Sequence, residues 1–447
     1  MPETRTSYRK VAVLGAGRSG LAAARLARSL GYGQIQIFDG GSHAGDVSGE
    51  FPLTLSATEE DGRAYGADLV ILSPGIKSDI AWTQAFVSHG AELIGETEFA
   101  CRHFNGVIIG ITGTNGKTTT TGLVAHILTR AGLNARPCGN YGIPLSQVAF
   151  EGGAPYAALE VSSFQMETIR DFRPDVAVWL NFAPDHMDRY RTVEEYFRAK
   201  LRIFENMDGS QAAVVREGEN LPGVRPRLLT FHSQNERGLL SYRAGWICED
   251  GRRLIDLNGT PLASAHNAEN AMAAALACRE LGVDASLIAD AVRSFVPPAH
   301  RCEIAAEMDG VLWLNDSKST NLHSMAAALR AQTRPVILIA GGKDKGLDYA
   351  PILPLLREKA KACIVFGQIA RQLFEAVSPV LPTRQVVTVE EAVMAAAAWA
   401  SSGDVVLFSP GTSSFDQFTG YVQRGECFRA SVKRYLKSST IHTSHGQ

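Results

Sequence analysis

Gly110-Ile-Thr-Gly113-Thr-Asn-Gly116-Lys117-Thr118-Thr119 decides how this chain is read. The stretch follows an apolar run ending at Ile111 and precedes an amphipathic segment, the pattern of a strand, a glycine-rich turn and a helix start. Gly113 and Gly116 let backbone N–H groups converge on an anion with no Cβ in the way. The helix N-terminus adds partial positive charge, and Lys117 adds a mobile cation. Thr118 offers a hydroxyl to a phosphate-bound magnesium ion, and Thr119 continues the helix. In the common nucleotide-binding fingerprint a glycine stands where this chain has Ile111, so the loop is a variant, and a solvated turn before a helix is the plainer alternative.

A chain of 447 residues exceeds one hydrophobic core, and about three domains are expected. With 44 basic and 46 acidic side chains there is no global field to draw nucleic acid or an anionic membrane, so neither is an expected partner and a charged substrate must be met by a local pocket. Seven cysteines, Cys101, Cys138, Cys248, Cys278, Cys302, Cys363 and Cys427, show no paired spacing, which fits a reducing compartment. Residues 1–10 lack a signal-peptide core, and no apolar run approaches the ~20 residues of a membrane span. A soluble cytoplasmic protein is expected.

Working outward, the first ~95 residues open with a strand Val11–Leu14, the turn Gly15-Ala-Gly17-Arg-Ser-Gly20, a helix through Leu30 and a strand Gln34–Phe38 ending at Asp39. A third strand, Asp68–Leu72, runs into Ser73-Pro74-Gly75. The Gly15 motif alone fits a nicotinamide dinucleotide, another phosphate-bearing ligand, or close helix–strand packing. A second unit begins near Val107, contains strands at Tyr156–Glu160 and Asp175–Leu180, and closes with an alanine-rich helix after His266 and another ending near Phe295. Pro297-Pro298 marks a boundary and a candidate hinge for an open-to-closed motion. Strands at Val311–Leu314, Val336–Ile339, Cys363–Phe366 and Val405–Phe408 alternate with helices in a third α/β domain, and a frayed tail is expected from Lys437.

Glu160, at the end of its strand, is placed to ligate magnesium beside the phosphates, or else is a solvated strand-end carboxylate. Asn181-Phe-Ala-Pro-Asp185-His186-Met-Asp188 follows the next strand, so three strands are expected to converge on Lys117, Glu160 and His186. Asn267 and Asn270 lie near the start of the alanine-rich helix, where an N-terminal cap is one use for Asn267.

Together, Gly113-Thr-Asn-Gly-Lys-Thr118, Glu160-Val-Ser-Ser163, Asp185-His-Met-Asp188 and Phe197-Arg-Ala-Lys200-Leu resemble the central domain of the Mur ligase family, which also includes folylpolyglutamate synthases. Asn315-Asp316-Ser-Lys318-Ser-Thr320-Asn321 and Ser409-Pro-Gly-Thr-Ser-Ser414-Phe-Asp416-Gln-Phe418 are similar to the family's glutamate-adding members, as is the dinucleotide-like N-terminal unit.

The resemblance implies an α/β fold in three domains. Residues 1–95 would form a Rossmann-like UDP-binding domain, 96–298 a P-loop-type ATPase domain with a mostly parallel sheet, and 299–447 a Rossmann-like glutamate-binding domain. It further implies an ATP-dependent ligase that adds glutamate, with D-glutamate the expected hand although the residues alone do not fix it, to UDP-N-acetylmuramoyl-L-alanine; a monomer is expected. Arg18, Ser19, Asp39, Ser73, Gly75 and Asn140 would hold the UDP substrate. Gly113, Thr114, Asn115, Gly116, Lys117, Thr118, Thr119, Asn270, Arg301, Asp316 and Lys318 would hold ATP. One Mg2+ would sit on Thr118 and Glu160, and a second on His186 and a carbamylated Lys200. Unmodified, Lys200 reads as a helix-surface lysine. Thr320, Lys345 or its neighbour Lys343, Ser414 and Tyr421 would grip the glutamate. Gly40-Gly41 departs from the family at the uracil side.

Overall fold

The computed structural model describes residues 8–42, 49–187, 189–234, 237–297 and 299–443, so Asp188 and Pro298 lie outside the described residues. The chain divides into two compact units, one of Met1–Phe182 with Glu194–Val296 and the other of Ala183–Val193 with Pro297–Gln447.

The first unit carries two sheets. The N-terminal one contains β1 (Lys10–Leu14), β2 (Gln34–Phe38), β3 (Leu53–Thr54), β4 (Leu69–Leu72) and β5 (Glu92–Gly95), all parallel, in the order β3-β2-β1-β4-β5. Val11 to Leu14 are fully buried because helices cover both faces, and alternate residues feed two cores. The strand order reverses between β1 and β4, and a crevice opens at their carboxyl ends, between the Gly15 and Ser73 turns.

The larger sheet contains β6 (Val107–Thr112), β7 (Ala135–Gly139), β8 (Tyr156–Glu160), β9 (Val176–Trp179), β10 (Ala212–Arg216), β11 (Arg227–His232), β12 (Leu240–Arg243), β13 (Trp246–Glu249) and β14 (Arg252–Asp256). Its order is β14-β13-β12-β11-β10-β9-β6-β8-β7, parallel from β7 to β12 and antiparallel through the last two pairings. Ile109, Ile111, Val176 and Val178 face the core under the helices Lys117–Arg130 and Ala265–Glu280, whereas Ile108, Ala177 and Trp179 face the opposite core with Phe172 and Phe204. That period of two divides the residues of β6 and β9 between the two cores, and β9, β6 and β8 lie side by side in that order.

The two sheets are joined through Glu98, whose buried carboxylate accepts the backbone N–H groups of Arg170 (2.9 Å), Asp171 (3.0 Å) and Phe172 (3.0 Å) and the Arg102 Nε (2.8 Å).

The second unit holds β15 (Glu303–Met308), β16 (Val311–Asn315), β17 (Val336–Gly341), β18 (Ala360–Phe366), β19 (Thr383–Gln385) and β20 (Val405–Phe408), in the order β15-β16-β20-β17-β18-β19, with only β15 antiparallel. Its last helix, Tyr421–Thr443, continues through the tail expected to fray from Lys437; residues 444–447 lie outside the described residues.

Sequence reasoning missed the hairpins β13–β14 and β15–β16. Each turns on an Asp-Gly pair with both residues at positive φ, 46° and 74° at Asp250-Gly251 and 53° and 76° at Asp309-Gly310, a hairpin signal the sequence did carry.

Candidate active site

At the end of β6 the chain turns through Gly113 (φ 149°) and Gly116 (φ 87°) into the helix Lys117–Arg130. Both positions favour glycine, by φ and by space. A Cβ on Gly113 would lie 2.9 Å from Leu180 Cβ, and one on Gly116 would lie 2.1 Å from Asn270 Oδ1. Asn181, just past β9, clamps the loop: its Oδ1 accepts Asn115 N–H (2.9 Å), its Nδ2 donates to Asn115 O (3.1 Å), and its backbone O accepts Thr114 N–H (2.9 Å). Lys117 folds over the cradle and donates from Nζ to the carbonyls of Gly113 (2.8 Å) and Thr114 (2.9 Å). Thr119 Oγ1 is buried and makes no hydrogen bond among the described residues.

Thr118 Oγ1 donates to Glu160 Oε2 (2.8 Å), and Asn140 Nδ2 donates to Glu160 Oε1 (2.8 Å). Glu160 is 2 % exposed, so the solvated strand-end alternative does not hold. Among the described residues no cluster of three or more His, Cys, Asp or Glu could cage a metal. One carboxylate beside one hydroxyl at a glycine-rich turn is instead a donor set that suits Mg2+, an ion that fills the rest of its shell with phosphates and water.

Lys200 is also 2 % exposed, with Nζ 2.9 Å from Gly113 O and 5.0 Å from the Tyr196 ring centre. The helix-surface alternative is thereby corrected: one face of the helix Val193–Leu201 is buried, and Lys200 lies on it. Asn270 lies beneath the loop, accepting from Thr120 Oγ1 (3.3 Å) and donating to Asn267 Oδ1 (3.3 Å). The N-cap of its helix is Ser264, whose Oγ accepts Asn267 N–H (3.4 Å); this overturns the capping use for Asn267.

A cavity of about 370 Å³ lies at the β1/β4 crevice, and Arg18, Ser19, Ser73, Gly75 and Asn140 all line it. Arg18 Nη2 donates to Gly142 O (2.9 Å). The three glycines of the motif have separate jobs. A Cβ on Gly15 would meet Ser73 Oγ at 2.6 Å and one on Gly20 would meet Gly15 O at 1.9 Å, but one on Gly17 would meet nothing within 4 Å. Gly17 therefore borders open cavity, and Ser73 Oγ is buried without a hydrogen-bond partner among the described residues, as suits a polar ligand. Asp39 stands off the cavity wall, its carboxylate accepting Ala16 N–H and Gly41 N–H (both 2.7 Å), so it shapes the turn. Gln165, not foreseen from sequence, lines the same cavity and donates to Thr97 Oγ1 (2.9 Å).

In the second unit, turns leaving the carboxyl ends of β16, β17 and β20 carry Asp316, Lys318, Thr320, Lys345 and Ser414, whereas Arg301 precedes β15. Burial pushes the Asp316 carboxyl up to about 6, against the Ser409 hydroxyl (2.8 Å) and the Arg301 charge. The Arg301 Nε is buried without a hydrogen-bond partner among the described residues. Lys318 Nζ sits 5.2 Å from the Tyr421 ring centre. Lys345 is half-buried and donates to Asp185 Oδ1 (3.0 Å) and Thr320 O (3.5 Å), whereas Lys343 is exposed. Asp185 also accepts Asn321 Nδ2 (2.9 Å). Burial raises the Asp185 carboxyl, but His186 and Lys345 outweigh it and hold it below the usual range. His186 belongs to this unit, at φ 58°, with Nε2 3.8 Å from Asp185 Oδ2. Ser414 is buried beside these turns, its backbone O accepting Phe418 N–H (2.9 Å).

No helix among the described residues is long and apolar enough to cross a membrane.

Residues 111–278 match the Mur ligase middle domain, and residues 300–411 match the Mur ligase, glutamate ligase domain. The chain is 37 % identical to the UDP-N-acetylmuramoylalanine–D-glutamate ligase of Acidobacterium capsulatum, over 95 % of this chain and 96 % of that one. It is 38 % identical to the ligase of the same name from Nitratidesulfovibrio vulgaris, over 94 % and 95 %. Among solved structures, the UDP-N-acetylmuramate–alanine ligase of Thermotoga maritima is similar in fold, with a TM-score of 0.63 at 19 % identity over 96 % of this chain and all of that one. The glycine-rich cradle, the Glu160 and Lys200 contacts and this near full-length likeness lead to one conclusion: the chain belongs to the Mur ligase family.

Proposed function

We propose that this protein joins D-glutamate to UDP-N-acetylmuramoyl-L-alanine, cleaving ATP to ADP and phosphate, in cytoplasmic peptidoglycan precursor synthesis. The observation that carries this is identity of 37 % across 95 % of the chain to a relative named for that reaction. The hand of the amino acid, which Thr320, Lys345 and Ser414 leave open from sequence, is taken from that name.

A carboxylate and an amine do not condense usefully in water, so the substrate carboxylate must first become an acyl phosphate. Its oxygen attacks the γ-phosphorus as the bond to the β-phosphate oxygen breaks, releasing ADP. The glutamate amine then attacks the acyl carbon, loses a proton, and phosphate leaves. Because both partners in the first step are anionic, charge neutralisation and positioning dominate the barrier.

In this scheme Gly113 to Thr119 cradle the triphosphate, with Lys117 released from its loop carbonyls onto the phosphates. Asn270, Arg301, Asp316 and Lys318 complete the nucleotide site. Bound magnesium, held by Thr118 and Glu160 and at a second position by His186 and carbamylated Lys200, supplies further neutralisation of the phosphates and the carboxylate. Arg18, Ser19, Ser73, Gly75 and Asn140 hold the UDP substrate, with Asp39 shaping their turn. Thr320, Lys345, Ser414 and Tyr421 grip the glutamate carboxylates. Residues 1–95, 96–298 and 299–447 serve as the UDP, ATP and glutamate domains of a monomer.

The test is phosphate release with ATP, magnesium and UDP-N-acetylmuramoyl-L-alanine, with D-glutamate, L-glutamate and other amino acids supplied separately and product mass read in parallel. Phosphate and a mass gain with D-glutamate alone are expected. ATP binding without release for any amino acid would leave a nucleotide-binding regulator on a ligase scaffold.

A further inference from the structure

Arg424 lies one turn into the helix Tyr421–Thr443 and is fully buried. Among the described residues the hydrogen bonds of its guanidinium all go to three turns, and none goes to a carboxylate. Nε donates to Ser317 Oγ (3.2 Å), Nη2 to Ser317 O (2.8 Å), and Nη1 to Thr412 O (3.0 Å) and Gly341 O (3.5 Å). Ser317 follows β16, Gly341 ends β17 and Thr412 follows β20.

The guanidinium is seated closely. A Cβ on Gly342 (φ 137°) would lie 2.4 Å from Ser413 O and 2.9 Å from Nη1, so the fork and the neighbouring turn both close on that glycine. Ser317 Oγ passes the contact on by donating to Tyr421 O (2.8 Å), and Thr412 Oγ1 donates to Lys343 O (2.6 Å), which ties the second turn to the third. Burial lowers the Arg424 pKa to about 10, with Asp416 and Asp316 opposing, and the group stays charged at neutral pH.

A buried cation without a directly bonded anion costs several kcal/mol, which ordinary packing would not require. What it supplies is geometry. Five donors in a rigid planar fork can reach acceptors from three strand ends at once, which a lysine's single ammonium centre cannot.

We infer that Arg424 is a positioning residue for the incoming amino acid, fixing the mutual placement of Thr320, Lys345 and Ser414 through the three turns that carry them. This rests on the ligase function proposed above. Ser317 lies three residues before Thr320, Gly341 four before Lys345, and Thr412 two before Ser414, so displacement at the hub moves all three. The UDP-substrate cavity is built from the other unit and does not depend on it.

The experiment is steady-state kinetics of the full chain as wild type, Arg424→Lys and Arg424→Ala, with each substrate varied in turn, alongside circular dichroism and thermal unfolding. The KM for D-glutamate is expected to rise about tenfold or more in both variants, corresponding to ~1.4 kcal/mol, while the KM for UDP-N-acetylmuramoyl-L-alanine changes less than about twofold. Methylguanidinium added to Arg424→Ala should lower the glutamate KM, and should not do so for Arg424→Lys, whose side chain fills the site. Folded variants with a glutamate KM within about threefold of wild type would overturn the inference, as would equal rises for both substrates. If neither variant folds, Arg424 is a stability residue and the inference falls. Wild-type protein inactive with every amino acid would instead remove the ligase function itself.

Discussion

Gly116→Ala is expected to destabilise the protein by about 3 kcal/mol, for two separable reasons. The first is conformational. Gly116 has φ 87°, and an L-residue held in the left-handed region costs about 1–2 kcal/mol that no rearrangement elsewhere recovers. The second is steric. The new Cβ would stand 2.1 Å from Asn270 Oδ1, so the carboxamide must swing away from Thr120 and Asn267, forfeiting two long hydrogen bonds at about 0.5–1 kcal/mol each. Asn270→Ala removes the obstructing oxygen and leaves the φ cost untouched. Urea unfolding of the wild type, both single variants and the double variant forms a thermodynamic cycle. Asn270→Ala alone should cost about 1 kcal/mol, and the double variant should be more stable than the sum of the two singles predicts by about 1–2 kcal/mol. Additive single effects would refute the steric argument, and a loss below about 0.5 kcal/mol in Gly116→Ala would refute both.

The remaining tests bear on other parts of the chain. Asp316 is held near 6 by burial, so between the unfolded value near 4 and about 6 the folded state binds the extra proton; stability should fall by roughly 3 kcal/mol as pH rises through that window, and Asp316→Asn should flatten the profile in urea unfolding. Glu98→Ala strands three backbone donors and should cost about 3–5 kcal/mol by the same assay, and a loss under about 1 kcal/mol would discard the joint described for it. Gly17→Ala, at φ −81° with open space around its Cβ, should leave unfolding unchanged and weaken binding of the UDP substrate measured by calorimetry, whereas Gly20→Ala should destabilise the fold; equal stability of the two variants would contradict this division. Lys200→Ala should lose turnover and regain part of it with short carboxylic acids, and full activity without them would remove Lys200 from the site.

Strand and loop identity was legible because it is local. Tyr156–Glu160 and Val405–Phe408 run as strands over the stretches their apolar residues mark, and the spacing of Gly113, Gly116 and Lys117 announces a cradle before any coordinate does. Arg18, Ser19, Ser73, Gly75 and Asn140 were named from sequence and meet at one cavity, since each follows a strand end. Arg424, Asn181 and Gln165 were not singled out, because a buried Arg, Asn or Gln looks the same in sequence as one at the surface. The Asp-Gly hairpins were written in the sequence and passed over.

By itself the sequence determined three alternating α/β segments and the strand ends at which chemistry sits, since hydrophobic period and turn residues act over a few positions. Only the tertiary structure decided what each polar side chain does there, because hydrogen-bond partners and burial are set by residues far away in the chain. It turned Asp39 to the backbone of its own turn and Lys200 inward to Gly113, set Glu160 between Thr118 and Asn140, paired Lys345 with Asp185, and tied three turns to one buried arginine.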